Sequence, residues 1–412
     1  MPEPTISIEK KLFLRERELG ALLEITQAIN HDPTEDSLYK IFQFTLLGQL
    51  NIRRLVLYVL EEGQWQCVVS FGADLADFRQ VPLPEAIINA CTSASCPIPS
   101  LNLGKEWKQL ETVIPVAQNG EVLAYVLIGN VNMDYVSEEA TKFLETLSNI
   151  LIGAIENRRL GRQRVAAAAI RKEIEIAQEV QTMLFPRHLP NNEYVAVHAS
   201  YVPHTAIGGD YYDVVPIDDD RFLFCVADVS GKGVPASLLM SNFQAGLRTL
   251  LRQQADLATV VAELNNLIYR NAVSEKFITA FFGLYNRTTR TLQYVNAGHN
   301  SPIMLLDEAE GFQLLADGTT MLGIFDELPF LNVQTVPVPP RSLLLTYTDG
   351  LTEVFDKEGE EYGEEGVLRF LQRSRYVPLA KLHKELLKEI KCFNADGNHF
   401  ADDITILSCR FK

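Results

Sequence analysis

Residues 222–237 read FLFCVADVSGKGVPAS. The run from Phe222 is apolar and rich in strand-forming residues, and it stops at an acid, Asp228. Gly231 and Gly233 follow closely, and Pro235 opens an apolar pattern of helical period. A carboxylate at the tip of a buried strand is costly unless something pairs with it. The stretch is therefore either a strand-to-helix turn with a capping acid or one wall of a ligand site. The rest of the chain has to supply the partners that decide between them.

The chain has 412 residues, enough for two or three domains. Its formal net charge is -16 and it carries no long run of Lys or Arg, which argues against a nucleic-acid partner. Six cysteines (Cys67, Cys91, Cys96, Cys225, Cys392 and Cys409) are scattered without a CxxC pair. Cys225 and Cys409 lie inside apolar runs, which predicts buried thiols in a reducing compartment. The first residues lack the apolar core of a signal peptide, and no apolar run approaches a membrane span, so a cytoplasmic protein is expected.

Upstream of the opening stretch, residues 12–50 predict two amphipathic helices separated by the turn HDPT, with Thr34 capping the second. Two strands turn at Gly63, and a short helix follows. Two more strands turn at Asn119-Gly120, and Ser137 caps a helix from about 138 to Leu160. This order, over residues 15–160, resembles a GAF domain, a small-molecule or signal-sensing module. Cys91 and Cys96 have no neighbouring His of the bilin-binding kind, and the NKxxFxxxDE pattern of cyclic-nucleotide binders is missing. The resemblance thus implies a sensor of an unknown ligand or protein signal.

Residues 155–189 predict a helical, coiled-coil-like linker. Leu160, Ala167, Ile170, Ile174, Ala177 and Leu184 fall on steps of three and four once Gln163 and Gln181 are admitted to the seam. That predicts a homodimer paired through this helix. Pro186 and Pro190 end it. From 190 to 412 the chain reads as many short strands with a few grouped helices, which predicts an antiparallel α+β domain.

In that C-terminal part, Asp210 (GGDYYD), Asp228 (ADVSG), Asp349 (TDGL) and the pair Asp402 and Asp403 sit at strand ends or in glycine turns. Each alone reads as an ordinary turn or cap. Together they predict converging carboxylates that raise one another's pKa, a conflict that a hard divalent cation removes. Oxygen donors without a His/Cys set suit Mg²⁺ or Mn²⁺.

The motifs GGDYYD, ADVSGKGVPASLLMS, NAGHNSP, TDGLTE and DDITIL resemble those of the metal-dependent type-2C protein serine/threonine phosphatases, in particular the bacterial branch that acts in sigma-factor partner switching. The resemblance implies an α+β fold, a β-sandwich of two antiparallel sheets flanked by helices. It implies two Mn²⁺ or Mg²⁺ ions bridged by Asp228. Asp210 and the Val229 carbonyl would complete one site, and Asp349 and Asp402 the other, with Asp403 as the alternative to Asp402. Asp210 and Asp228 would serve catalysis through the ions, and Asp213 would stand behind the ligands. The chemistry implied is in-line attack by a metal-activated water. It needs no covalent phospho-enzyme, in keeping with the lack of a Cys-x5-Arg loop.

Two departures stand out. The His that follows the Asp-Gly of the eukaryotic branch is missing from Val229-Ser230-Gly231-Lys232, and the early substrate-binding arginine has no match. His299 (AGHN) reads as either an acid catalyst or a ring that shapes the sheet end. Lys232 reads as either a phosphate ligand or a solvated lysine. Gly318 to Ile324 resembles the family's glycine-bounded loop near the substrate. The function implied is a signal-regulated phosphatase acting on a phosphorylated STAS-domain anti-anti-sigma protein. The alternative is a catalytically inactive sensor-scaffold that binds a phosphoprotein.

Overall fold

The computed structural model describes residues 8–31, 34–50, 52–72, 78–92, 94–118, 120–129, 138–253, 256–271, 276–306, 311–395 and 400–412. The chain divides into two compact units, Met1–Ala168 and Ala169–Lys412.

In the first unit, α1 (Ile8–Asn30) packs on α2 (Glu35–Leu50). Thr34 caps α2, its Oγ1 accepting the Ser37 amide at 3.3 Å. The strands β1 (Arg54–Glu61) and β2 (Gln64–Phe71) precede α3 (Glu85–Ala90), and β3 (Cys96–Pro97), β4 (Thr112–Gln118) and β5 (Glu121–Gly129) follow it. They pair antiparallel in the order β2-β1-β5-β4-β3. Alternation along β1 sends Leu55, Leu57 and Val59 toward α1, α2 and α4 (Glu138–Thr182). Val56 and Tyr58 face the other way, onto Phe78, Ile87 and Trp107. Asn119 and Ser137, expected as turn and cap, lie outside the described residues; Gly120 sits at φ +88.

Helix α4 is one helix of 45 residues that runs through the division between the units. The expected long helix and linker are thus a single element. Nearly every residue from 162 to 180 is exposed, Val165 and Ile170 among them. The expected seam loses its last members. Gln181 is buried, its Nε2 donating to the Gly208 carbonyl at 2.8 Å. Leu184 packs on the apolar cluster of the second unit.

The second unit continues with β6 (Val195–Val202), β7 (Tyr211–Pro216) and β8 (Arg221–Val229), then α5 (Val234–Arg252) and α6 (Leu257–Asn271). Six strands follow: β9 (Ile278–Asn286), β10 (Thr291–Ala297), β11 (Ile303–Leu305), β12 (Phe312–Leu314), β13 (Gly318–Thr319) and β14 (Gln334–Pro337). The unit closes with β15 (Leu343–Tyr347), α7 (Gly363–Ser374), α8 (Leu379–Phe393) and β16 (Ile404–Phe411).

One sheet runs β13-β10-β9-β8-β7, with β14 also on β10, and the other runs β12-β11-β15-β16-β6. The expectation of wholly antiparallel sheets needs one correction. Asn296↔Gly318 and Ala297↔Thr319 make a short parallel pair. The chain crosses to the other sheet through β11 and β12, so it returns to β10 running the same way.

Between the sheets lie Val197, Phe224, Val226, Phe281, Leu344 and Leu407. Helices α5 and α6 cover the outer face of the first sheet, and α7 and α8 that of the second. Gly283, in mid-strand, is opposite Phe224; a Cβ there would stand 2.4 Å from the ring. Along β8, Leu223, Cys225, Ala227 and Val229 face the helices, while Phe224 and Val226 face the opposing sheet. Period-two alternation places Asp228 on the inter-sheet side, at the strand's end.

Candidate active site

The acids expected to converge are brought together at one end of the sandwich. Asp228 is the last residue but one of β8. Burial pushes its carboxyl up to about 7, helped by repulsion from Asp349 and Asp402; a hydrogen bond with Asp210 pulls the other way. Asp210, directly before β7, is buried, and its Oδ2 accepts the hydroxyls of Thr348 at 2.8 Å and Thr405 at 2.6 Å. Burial, then the charge of Asp228, holds its carboxyl well above the usual carboxylate range. Asp349 follows β15 in a tight turn; burial and Asp402 raise it, while the Gly350 backbone and Lys232 lower it.

The two neighbours before β16 divide the work. Asp402 Oδ2 stands 3.0 Å from Lys232 Nζ, and Asp402 repels Asp228 and Asp349. Asp403 is buried and takes up both its oxygens with backbone amides, from His204 at 2.7 Å and Gly209 at 2.8 Å. The charge of Asp403 still reaches Asp210 and Asp228, but both of its oxygens are already taken by amides. Asp403 instead ties the loop carrying Gly208-Gly209-Asp210 to the end of β16.

Close approach explains two glycines. A Cβ on Gly209 would lie 2.9 Å from the Val229 carbonyl oxygen, and one on Gly350 would lie 2.1 Å from the Asp403 oxygen. The loop after Asp228 is held by Phe277, whose amide donates to Ser230 Oγ at 2.9 Å. Lys276 Nζ donates to the Ser230 carbonyl at 3.1 Å.

Asp213 does not stand behind these acids. It lies on β7 opposite Cys225 and so faces α5 rather than the inter-sheet end. There Arg248 Nε donates to it at 2.8 Å and the Tyr211 hydroxyl at 2.6 Å. His299 takes the structural of its two readings. It is buried, its Nδ1 pairs with Thr279 Oγ1 at 3.0 Å, and its amide donates to Asn296 Oδ1 at 2.7 Å. Burial pushes its ring down to about 4, which leaves it neutral near pH 7 and a poor general acid.

Sequence reasoning missed Thr348, Thr405, His204 and Lys276. The two threonines had a legible signal, each lying within two residues of a motif acid, in TYTDG and DDIT. Lys276 had none, since only the pairing of β8 with β9 brings it to the loop.

Among the described residues, no three His, Cys, Asp or Glu side chains are drawn around one point as metal ligands would be. The acids are instead crowded neighbours, and Asp210, Asp228 and Asp349 have raised pKa values. This all-oxygen donor set fits a hard divalent cation, which would relieve that repulsion.

The family profile of Stage II sporulation protein E (SpoIIE) matches residues 218–412. The chain is 28% identical over 250 residues to phosphoserine phosphatase RsbU of Bacillus subtilis (strain 168), covering 59% of this chain and 71% of that protein. It is 24% identical over 273 residues to protein IcfG of Synechocystis sp., spanning 60% of this chain but 42% of IcfG. Among solved structures, the SiaA-PP2C domain of Pseudomonas aeruginosa superposes with a TM-score of 0.53 at 23% identity, covering 60% of this chain and 99% of that domain. At that identity the likeness shows the fold: the C-terminal region is PP2C-like.

Proposed function

We propose, from the premise that the C-terminal part is a SpoIIE-type, PP2C-like phosphatase domain and the chain a protein serine/threonine phosphatase, that it is a signal-regulated, metal-dependent enzyme acting on a phosphorylated STAS-domain regulatory protein. The observation that carries the metal dependence is the crowding of Asp210, Asp228, Asp349 and Asp402, with burial first and then mutual repulsion raising Asp228 and Asp349.

Asp210, Asp228 and the Val229 carbonyl would hold one Mn²⁺ or Mg²⁺, and Asp228, Asp349 and Asp402 a second. Asp402 is preferred to Asp403 because both oxygens of Asp403 already accept amides. Bound there, the ions would supply an activated water and neutralise phosphoryl charge. The chain's own contribution is positional: Thr348 and Thr405 orient Asp210, and Asp403 and Phe277 hold the loops on either side.

The N-terminal unit is proposed as a GAF-like sensor over 15–160, followed by the helical linker at 155–189 and the phosphatase domain from 190. The largely exposed middle of α4 supports pairing with a second copy, because such a helix buries its apolar side chains only against a partner. Its buried end supports a signal route: Gln181 bonds Gly208, which adjoins Gly209 and Asp210. The helix opened by Pro235 is the second route, by its adjacency to Val229. Among the described residues, no helix is long and apolar enough to cross a membrane; with all six cysteines as free thiols, this supports a proposed cytoplasmic location.

The test is phosphate release from a phosphoserine-bearing STAS-domain protein with Mn²⁺ and after chelation. Asp228→Asn and Asp349→Asn should each lower the rate by about a thousandfold or more. Wild-type rates in either variant would refute the ligand assignment.

A further inference from the structure

The ammonium of Lys232 lies at the edge of the acid cluster. Its Nζ stands 3.0 Å from Asp402 Oδ2 and donates to the Ala401 carbonyl at 2.5 Å. Its charge also reaches Asp349. One lysine thus engages a carboxylate and a carbonyl, the donor types a hard cation uses, and it is carried by the loop that follows Asp228. Its side chain is half exposed, so it can swing out without opening the fold.

We propose that Lys232 is a built-in counter-cation, which a divalent ion must displace from Asp402 and which is thereby released to meet the substrate's phosphoryl group. The inference rests on the ligand assignment proposed above. An ammonium and a divalent ion cannot both occupy the face of Asp402, because like charges so close repel strongly. A displaced Lys232 stays tethered four residues from Asp228, between Gly231 and Gly233, both at positive φ. Its three N–H donors suit phosphate oxygens. This gives metal binding and phosphate recognition one shared residue, and it supplies a cation where the family's substrate arginine has no match.

The experiment is a calorimetric titration of the full-length chain with Mn²⁺, without substrate, for wild type, Lys232→Met and Lys232→Arg. Lys232→Met should bind the weaker of two Mn²⁺ ions about three- to tenfold more tightly. That range follows from a partly exposed ion pair reinforced by one charged hydrogen bond. Lys232→Arg keeps the charge and should stay near wild type. Unchanged or weaker binding by Lys232→Met, with a melting profile like wild type, overturns the proposal.

A second measurement uses p-nitrophenyl phosphate at saturating Mn²⁺. Lys232→Met should raise KM and weaken inhibition by inorganic phosphate by about tenfold, with kcat less affected. Equal KM and equal phosphate inhibition overturn the release step. If wild type binds no Mn²⁺ and Lys232→Met binds none, the ligand assignment and this proposal fall together. If wild type binds Mn²⁺ without hydrolysing any phosphoester, the proposed function falls, while the Mn²⁺ titration still decides the displacement.

Discussion

Each unit of this chain gathers acids, and the two gatherings differ in one respect. In the first unit, Glu35, Glu61 and Glu156 surround Arg159, with Arg162 also on Glu35, around an open cleft of about 630 Å³. Burial alone would raise Glu35, yet the hydrogen bond and charge of Arg159, then those of Arg162, bring it below its usual range. In the second unit, Asp210, Asp228 and Asp349 are raised, and Lys232 stands beside Asp402. Acids matched by guanidinium groups hold elements together. Acids left facing each other cost stability and make sense as ligands for something absent from the chain itself. Asp213 shows the contrast within one motif. It lies three residues from Asp210, but it is paired with Arg248 and belongs to the first kind.

The strongest way to break this contrast is Asp213→Ala. It would strand the Tyr211 hydroxyl and Arg248 and should cost about 3 kcal/mol or more in urea unfolding. The Mn²⁺ affinity of the folded protein should stay within about twofold. A large loss of Mn²⁺ affinity at unchanged stability would move Asp213 into the site.

The pH dependence of the metal-free protein is the next test. A carboxyl whose folded pKa is raised contributes stability that is present below its unfolded pKa and is lost as pH rises through the folded value. For Asp228 that window runs from about 4 to about 7. The chelated protein should therefore melt about 5 °C lower at pH 8 than at pH 5.5 in differential scanning fluorimetry. Asp228→Asn should flatten that slope, and Mn²⁺ should offset the loss at pH 8. A slope unchanged in Asp228→Asn would show that Asp228 is not the strained group.

The smallest effect is expected from Arg159→Met. It leaves Glu35, Glu61 and Glu156 without their shared partner and should cost about 1 kcal/mol, because the network is partly exposed. Hydrolysis of p-nitrophenyl phosphate should not change. A large change in turnover would make the pairing part of the signalling path rather than a structural clamp.

Local chemistry carried far in this protein. The apolar run of FLFCVAD ending in an acid, the Thr34 cap and the long helical pattern were legible because they depend on neighbours a few residues away. The acids at strand ends stood out because an ionised group after a buried strand demands an explanation. What the strand pattern left open were choices between adjacent residues. Asp402 and Asp403 are chemically identical in sequence, and only the Gly209 and His204 amides, nearly two hundred residues away, claim one of them. Gln181 fitted a helical seam until Gly208 was seen to accept its amide.

The opening stretch shows the same boundary. By itself it determined that a strand ends in an acid at Asp228 and gives way to a glycine loop and a helix. The tertiary structure alone decided that Asp228 meets Asp210, Asp349, Asp402 and Asp403, and that Lys232, in the same loop, turns back to Asp402. Propensity and pattern act along the chain, whereas charge is felt through space, and folding alone decides which charges are neighbours.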